Sequence, residues 1–157
     1  MTEQFSLDLN SLLNFLNRKK LEPQLDSQTG QIQILLNFSK REIPVIFNLI
    51  SEGLILQSIA YLPITLPKKH LNDISRLLHI LNKQLDLPGF GMDEKHELIF
   101  FRVPILSLEK TFSEELINVM LGTTELACDS FLTGIEMIAN GSVSLEKTLQ
   151  AEKERSS

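Results

Sequence analysis

Cysteine is nearly absent from this 157-residue sequence, which contains only Cys128. A lone cysteine excludes an intramolecular disulfide, and a reducing compartment is therefore compatible with the chain. Long apolar runs are absent as well, since none approaches the roughly 20 residues that span a bilayer. The first residues, MTEQFSLDLN, lack the basic region followed by an apolar one that marks a secretory signal. We therefore expect a cytoplasmic protein with no membrane partner.

Basic residues are too few and too scattered to form a stripe. The formal net charge is −5 and the pI is about 5.2. The one basic cluster, Arg18-Lys19-Lys20, lies at the end of a predicted helix, where positive charge is favourable. Because phosphate contacts supply most of the affinity for nucleic acids, we expect no nucleic-acid partner.

A leucine-rich helix followed by a hairpin forms the centre of the chain. Pro67 suits a first helical turn, and Pro88-Gly89 predicts the end of the helix. Apolar residues recur at spacings of three and four and predict one buried stripe: Leu71, Ile74, Leu77, Leu78, Leu81 and Leu85. Apolar runs at 90–92 and 98–103, separated by the polar turn Asp93-Glu94-Lys95-His96, predict the hairpin strands.

The remaining elements follow from a change in hydrophobic period. Alternating or continuous apolar residues predict strands at 31–38, 43–50 and 54–62, after a first helix that Ser6 or Asp8 caps and Glu22-Pro23 ends. Ser113 predicts the cap of a last helix that ends at Asn140-Gly141, with Gly122-Thr123-Thr124 as a candidate interruption. The order is α-β-β-β-α-β-β-α, which predicts an α+β fold with a five-stranded antiparallel sheet and helices packed against it. We expect one domain at 5–141; for 142–157, a polar tail and a short helix both stay open.

Residues with catalytic or ligand-binding chemistry do not form a recognisable constellation. His70 and His79 lie nine residues apart, unlike an i and i+4 metal pair, and His96 falls in the hairpin turn. Cys128 has no neighbouring histidine or basic residue to lower its pKa.

Two further features of the hairpin have simpler interpretations than ligand binding. Gly89-Phe90-Gly91 is too short for a nucleotide fingerprint and follows a helix instead of preceding one. Asp93 and Glu94 are two adjacent acids in a turn, which solvent ordinarily covers. We assign no catalytic, cofactor-binding or metal-binding residue and predict that the protein is not an enzyme.

The strands at 43–50 and 54–62 are apolar on both faces, whereas helices on one side of a sheet cover one face only. The second face is either additional intramolecular core or a surface for a partner or a second copy. The candidate residues for such a surface are Ile55 and Ile59 on the sheet and Ile80 and Leu87 near the central helix. We expect a homodimer, because a two-fold interface lets one apolar patch cover its own copy.

The central stretch LLHILNKQLDLPGFGMDEKHELIFFRVPI resembles proteins of the type III secretion chaperone-like fold, and especially their YbjN-like branch. The matching residues are Leu78, Leu81, Asn82, Gly89, Phe90, Asp93, Phe101 and Arg102, and the segment 126–141 is similar to the last YbjN-like helix. If the chain acts as a secretion chaperone, the resemblance implies a small acidic cytoplasmic homodimer that holds an extended protein segment against its apolar patches. YbjN-like proteins are linked to regulation of motility and stress, with no established enzymatic activity. We therefore expect a non-enzymatic module that binds a protein or peptide, the alternative being a ligand-sensing regulator with an apolar cavity.

Overall fold

The structure is a computed structural model that describes residues 3–87 and 89–157. Its strands are β1 (Gln4–Ser6), β2 (Gln24–Asp26), β3 (Gln31–Phe38), β4 (Arg41–Ile50), β5 (Ile55–Leu62), β6 (Phe90–Asp93), β7 (Leu98–Leu106) and β8 (Thr111–Ser113). Its helices are α1 (Leu9–Arg18), α2 (Leu71–Gln84), α3 (Glu114–Ala139) and α4 (Leu145–Arg155), with a 3-10 turn at Lys68–His70 before α2.

Six strands form an antiparallel sheet in the order β2-β3-β4-β5-β7-β6, and β1 pairs with β8 in a separate two-stranded sheet. The predicted α+β class and the antiparallel arrangement are confirmed. The predicted count of five strands is wrong, because Gln24–Asp26 adds an edge strand to β3. Three residues are too few to display an alternating pattern, and the turn signals that follow, including Gly30 at φ 72°, dominate the sequence there.

The central helix is unbroken from Leu71 to Gln84 but shorter than predicted. Pro67 precedes the 3-10 turn, and Leu85 already has an extended backbone, with φ −92° and ψ 134°. Pro88, which with Gly89 was expected to end the helix, lies outside the described residues. Of the predicted stripe, Ile74, Leu78 and Leu81 are buried. The other members, Leu71, Leu77 and Leu85, are half-buried.

The last predicted helix is the 26-residue α3, and it continues through the expected interruption at Gly122-Thr123-Thr124. Thr124 is buried, and its hydroxyl donates to the Met120 carbonyl at 2.9 Å, which satisfies the group inside the helix. The caps agree with the sequence, since the Ser113 hydroxyl accepts from the Leu116 N–H at 3.1 Å and Gly141 ends the helix at φ 76°. Within the part of the chain that the structure describes, no helix combines the length and apolarity needed to cross a bilayer.

One apolar core lies between the six-stranded sheet and the helices. Alternate side chains of each long strand are buried, for example Leu56, Ala60 and Leu62 on β5, and they form one cluster with buried residues of all four helices. The helices therefore lie on one face of the sheet. Over residues 3–87 and 89–157, no helix covers the other face.

Candidate functional site

The outer sheet face consists of the side chains on β3, β4, β5 and β7 that point away from the helices. On β5, Ile55, Gln57, Ile59 and Tyr61 alternate with buried neighbours and are partly exposed. The apolar members of the face are Leu35, Pro44, Ile46, Ile50, Ile55, Ile59, Tyr61, Leu98, Phe100, Pro104 and Leu106. This face provides an apolar surface that extends across the central strands.

Strand register arranges these side chains in rows. Ile50, Ile55 and Leu106 are direct cross-strand neighbours on β4, β5 and β7, with Ile50 39% and Leu106 66% exposed. A second row joins Ile46, Ile59 and Arg102. Side chains directly opposite each other across strands contact one another, so each row presents a continuous strip to solvent.

Arg102 supplies positive charge on β7, at one side of the outer sheet face. Its guanidinium carbon lies 5.6 Å from the centroid of the Phe100 ring, within range of a cation–π interaction. Phe100 also packs edge-on against Tyr61, with ring centroids 6.4 Å apart. Aromatic and arginine side chains are the residue types that contribute most to binding energy at protein interfaces.

Glycine at position 91 allows Phe100 to lie across the sheet. A Cβ atom added to Gly91 would come within 2.5 Å of the Phe100 ring. The ring therefore packs directly over the backbone of the neighbouring strand β6, which holds it beside Arg102. A side chain at position 91 would displace Phe100 from this position.

Asn82, near the end of α2, fixes the start of β6. Its amide nitrogen donates to the Phe90 carbonyl at 2.9 Å, and its oxygen accepts from the N–H groups of Phe90 and Gly89 at 2.9 and 3.2 Å. The Gly89 carbonyl in turn accepts from the Arg102 N–H at 2.9 Å, and a Cβ on Gly89 would lie 2.1 Å from the Arg102 carbonyl oxygen. Asn82 and Gly89 thus position the strand pair that presents Phe100 and Arg102.

The four surface residues predicted from the sequence do not lie together. Ile55 and Ile59 are partly exposed on the outer sheet face. Ile80 is half-buried on α2, and Leu87 is 53% exposed beyond the end of α2, so both belong to the helix layer on the opposite side of the sheet. Whether any of them contacts a partner or a second copy stays a prediction.

The titratable side chains that the structure describes form isolated pairs and do not converge on one site. Burial raises the pKa of the Cys128 thiol to about 12, so the thiol stays protonated at neutral pH. His96 hydrogen-bonds Asp93 in the hairpin turn, with Nδ1 2.7 Å from Oδ2, and this contact lowers the pKa of Asp93. Within residues 3–87 and 89–157, no group of three or more His, Cys, Asp or Glu side chains is arranged to hold a metal ion.

Sequence reasoning missed Phe100 and Arg102 as surface residues. The signal was present, because Leu98, Phe100, Arg102 and Pro104 alternate with the buried Ile99, Phe101 and Val103. The resemblance instead paired Phe101 with Arg102, and the structure places these two residues on opposite faces of the sheet.

The fold defines a small α+β protein with an antiparallel sheet whose outer face is open. A family model described as "YbjN: Putative bacterial sensory transduction regulator" matches residues 8–137, and the chain belongs to this family.

Two solved structures show the same fold. A chain in the crystal structure of the ExsC-ExsE complex matches with a TM-score of 0.53 and 21% identity, over 82% of this chain and 97% of that chain. YbjN from E. coli, described as "a putative transcription regulator", matches with a TM-score of 0.60 and 10% identity, over 85% and 92%. A search of curated proteins finds no match.

Proposed function

We propose that this protein is a non-enzymatic binding module that acts in the cytoplasm and holds a protein or peptide partner on its outer sheet face. The observation that carries the proposal is the position of the helices, which all cover one face of the sheet and leave apolar rows on the other face partly exposed. An exposed apolar patch that spans several strands is typical of a protein interaction site.

The comparisons support the same kind of role without naming a partner. The family to which the chain belongs is described as a sensory transduction regulator. A structural neighbour, ExsC, forms a complex with another protein, ExsE. Regulation through binding of a protein agrees with both descriptions.

The chemistry of the outer sheet face limits what it can bind. The row formed by Ile50, Ile55 and Leu106 favours apolar side chains on the partner. Arg102 favours a carboxylate, which it can bind through two parallel hydrogen bonds. We therefore infer a partner segment that combines apolar residues with at least one acidic residue.

A ligand-sensing regulator is the second candidate, and it requires an enclosed apolar cavity. A cleft of about 280 Å³ lies between α2, α3 and the start of α4, and its lining includes Leu81, Phe131, Ile135 and Leu145. The cleft opens to solvent, whereas small-molecule sites enclose most of their ligand. The open sheet face and the open cleft both favour a macromolecular partner.

The proposal is tested by capture from the native host with matched surface variants. Ile59→Glu places a charge on the outer sheet face, and Leu108→Glu makes the same kind of change between β7 and β8, where Leu108 is 77% exposed. We expect a protein that the unmodified chain and Leu108→Glu both capture and that Ile59→Glu loses. Thermal melting followed by circular dichroism verifies that both variants are folded.

The role of Arg102 is then measured with the captured protein after purification. We expect Arg102→Glu to weaken binding strongly and Arg102→Lys to retain part of it, since lysine keeps the charge but lacks the bidentate geometry. Equal affinity of both variants and the unmodified chain would show that the partner does not contact Arg102.

A further inference from the structure

We propose that the exposed side of α3 is a second docking surface, which binds a basic amphipathic helix of a partner protein. This surface, the α3 seam, comprises residues spaced three or four apart: Val119, Gly122, Leu126, Ser130, Thr133 and Met137. Residues at this spacing share one face of a helix. The inference is independent of the outer sheet face.

Large apolar side chains are exposed along the α3 seam. Val119 is 55% exposed, Leu126 70% and Met137 40%. The opposite side of α3 is already buried in the core through residues such as Ile117 and Cys128. A helix that is apolar on both sides normally has both sides covered. At the helical rise per residue, the α3 seam from Val119 to Met137 is about 27 Å long.

Two glycines in the interior of α3 have no packing role within the chain. A Cβ added to Gly122 or Gly134 would have no atom within 4 Å, so no neighbouring group requires glycine there. Glycine destabilises a helix interior relative to alanine. Their small size does allow a second helix to approach the backbone of α3 closely.

Charge indicates the kind of helix that fits. Every charged residue of α3 is acidic: Glu114, Glu115, Glu125, Asp129 and Glu136. Lys19 pairs with Glu114, and Arg41 pairs with Glu136. Among the residues that the structure describes, Glu115 and Glu125 form no ion pair, and Asp129 accepts a hydrogen bond from the Ser39 hydroxyl but has no cation beside it. A helix with lysine or arginine beside its apolar stripe complements these acids, whereas α3 of a second copy would be repelled.

The C-terminal end of the seam leads into the cleft between α2, α3 and α4. Ser130, Gly134 and Met137 line this cleft together with Leu77 and Leu145. A large apolar side chain of the docked helix can therefore enter the cleft while the rest of its stripe lies along the seam. This is the groove-binding arrangement that amphipathic helices use, with anchors at helical spacing.

A designed peptide serves as the probe. A fluorescein-labelled amphipathic helix of leucine and lysine, about 18 residues long to match the seam, is titrated with the full chain at low salt. We expect a rise in fluorescence anisotropy that weakens as salt is added, because exposed charges are screened. Two control peptides are used. The first is a scrambled sequence of the same composition, and the second keeps the pattern but has glutamate in place of lysine. Equal binding of either control would overturn the proposal.

Variants of the seam separate docking from folding. Val119→Ser with Leu126→Ser removes apolar surface and keeps the acids, and we expect roughly tenfold weaker binding. Gly122→Leu places bulk in open space, so we expect unchanged or higher thermal stability together with weaker binding. Leu108→Ser, at a site 77% exposed outside α3, is the control and should bind like the unmodified chain. Unchanged affinity in both seam variants contradicts the proposal.

The alternative occupant of the α3 seam is a second copy of the chain, which light scattering would detect. If the unmodified protein has twice the mass of one chain and Leu126→Ser has the mass of one, a second copy occupies the seam and the proposal is wrong. If Leu126→Ser leaves the mass unchanged and weakens peptide binding, the seam is a docking surface for a different protein. Arg102→Glu should leave peptide binding unchanged, which distinguishes this surface from the outer sheet face.

Discussion

Replacing Asn82 by alanine should destabilise the protein much more than its partial exposure indicates. The side-chain amide makes three hydrogen bonds to the main chain of Gly89 and Phe90. Alanine removes all three at once and leaves two N–H groups and one carbonyl to be satisfied by water. Because these groups lie between α2 and β6, the substitution loosens the connection between helix and sheet.

The magnitude follows from the number of bonds. A hydrogen bond contributes about 0.5–1.5 kcal/mol net, so three contribute about 1.5–4.5 kcal/mol, with the lower half applying at a half-buried site. Alanine recovers about 0.5 kcal/mol through its higher helix propensity. We therefore expect a net loss near 2 kcal/mol, which lowers Tm by about 4–8 °C in a domain of this size.

Urea denaturation followed by far-UV circular dichroism measures the effect. Asn72→Ala is the matched control, because Asn72 is exposed on the same helix and the change should stabilise the protein slightly. Asn82→Asp keeps the acceptor for the N–H groups of Gly89 and Phe90 but has no donor for the Phe90 carbonyl. Its free energy of unfolding should therefore fall between those of Asn82→Ala and Asn72→Ala. If Asn82→Ala loses no more stability than Asn72→Ala, the amide does not hold β6 in place.

Other positions test further parts of the structure. Ser58 is buried, and its hydroxyl has no hydrogen-bond partner among the described residues. Ser58→Ala should therefore raise the free energy of unfolding by about 1 kcal/mol, and a lower free energy of unfolding would contradict this. In the folded protein, the hydrogen bond from Arg41 lowers the pKa of Glu136 below 4.5. The stabilisation that this bond gives the fold is fully present above the pKa of the unfolded chain, and it is lost as the pH falls through the lowered pKa of Glu136. Glu136→Gln should therefore lose less stability than the unmodified chain below pH 4.5 in denaturation titrations, and parallel curves would contradict this. We also predict a homodimer, which light scattering tests; if one forms, Ile80→Glu should separate it without unfolding the subunits, and a retained dimer would place the interface elsewhere.

Hydrophobic period predicted the long elements well and their ends poorly. The strands β3, β4 and β5 and the helices α2 and α3 are long enough for burial to impose a visible repeat. The helix α2 ends at Gln84 and not at Pro88-Gly89, because the contacts of Asn82 with Gly89 and Phe90 turn the chain earlier than local propensity indicates. Likewise, Gly122 predicts a break that α3 does not have, because core packing on its other side maintains the helix.

The pairing of the two short strands β1 and β8 could not be predicted from local patterns. The strands β1 and β8 are three residues each and pair across more than a hundred positions, with Phe5 opposite Phe112. Their rings lie 5.5 Å apart, so a contact between distant parts of the chain stabilises this pair. A three-residue segment carries no period of its own, which is why this pairing depends on tertiary structure.

Most of the residues that carry the family resemblance serve the fold, whereas Arg102, which also carries it, points outward with the candidate binding residues. Asn82, Gly89 and Phe90 connect α2 to β6, and Phe101 is fully buried, with its ring 4.8 Å from that of Phe90. Phe100, the next residue along β7, points outward instead. Because adjacent strand residues face opposite sides of a sheet, substitutions on the outer sheet face can change what is bound without disturbing the core. A family built on this scaffold can therefore keep one fold while its members bind different partners, and capture with Ile59→Glu and Arg102→Glu tests that division directly.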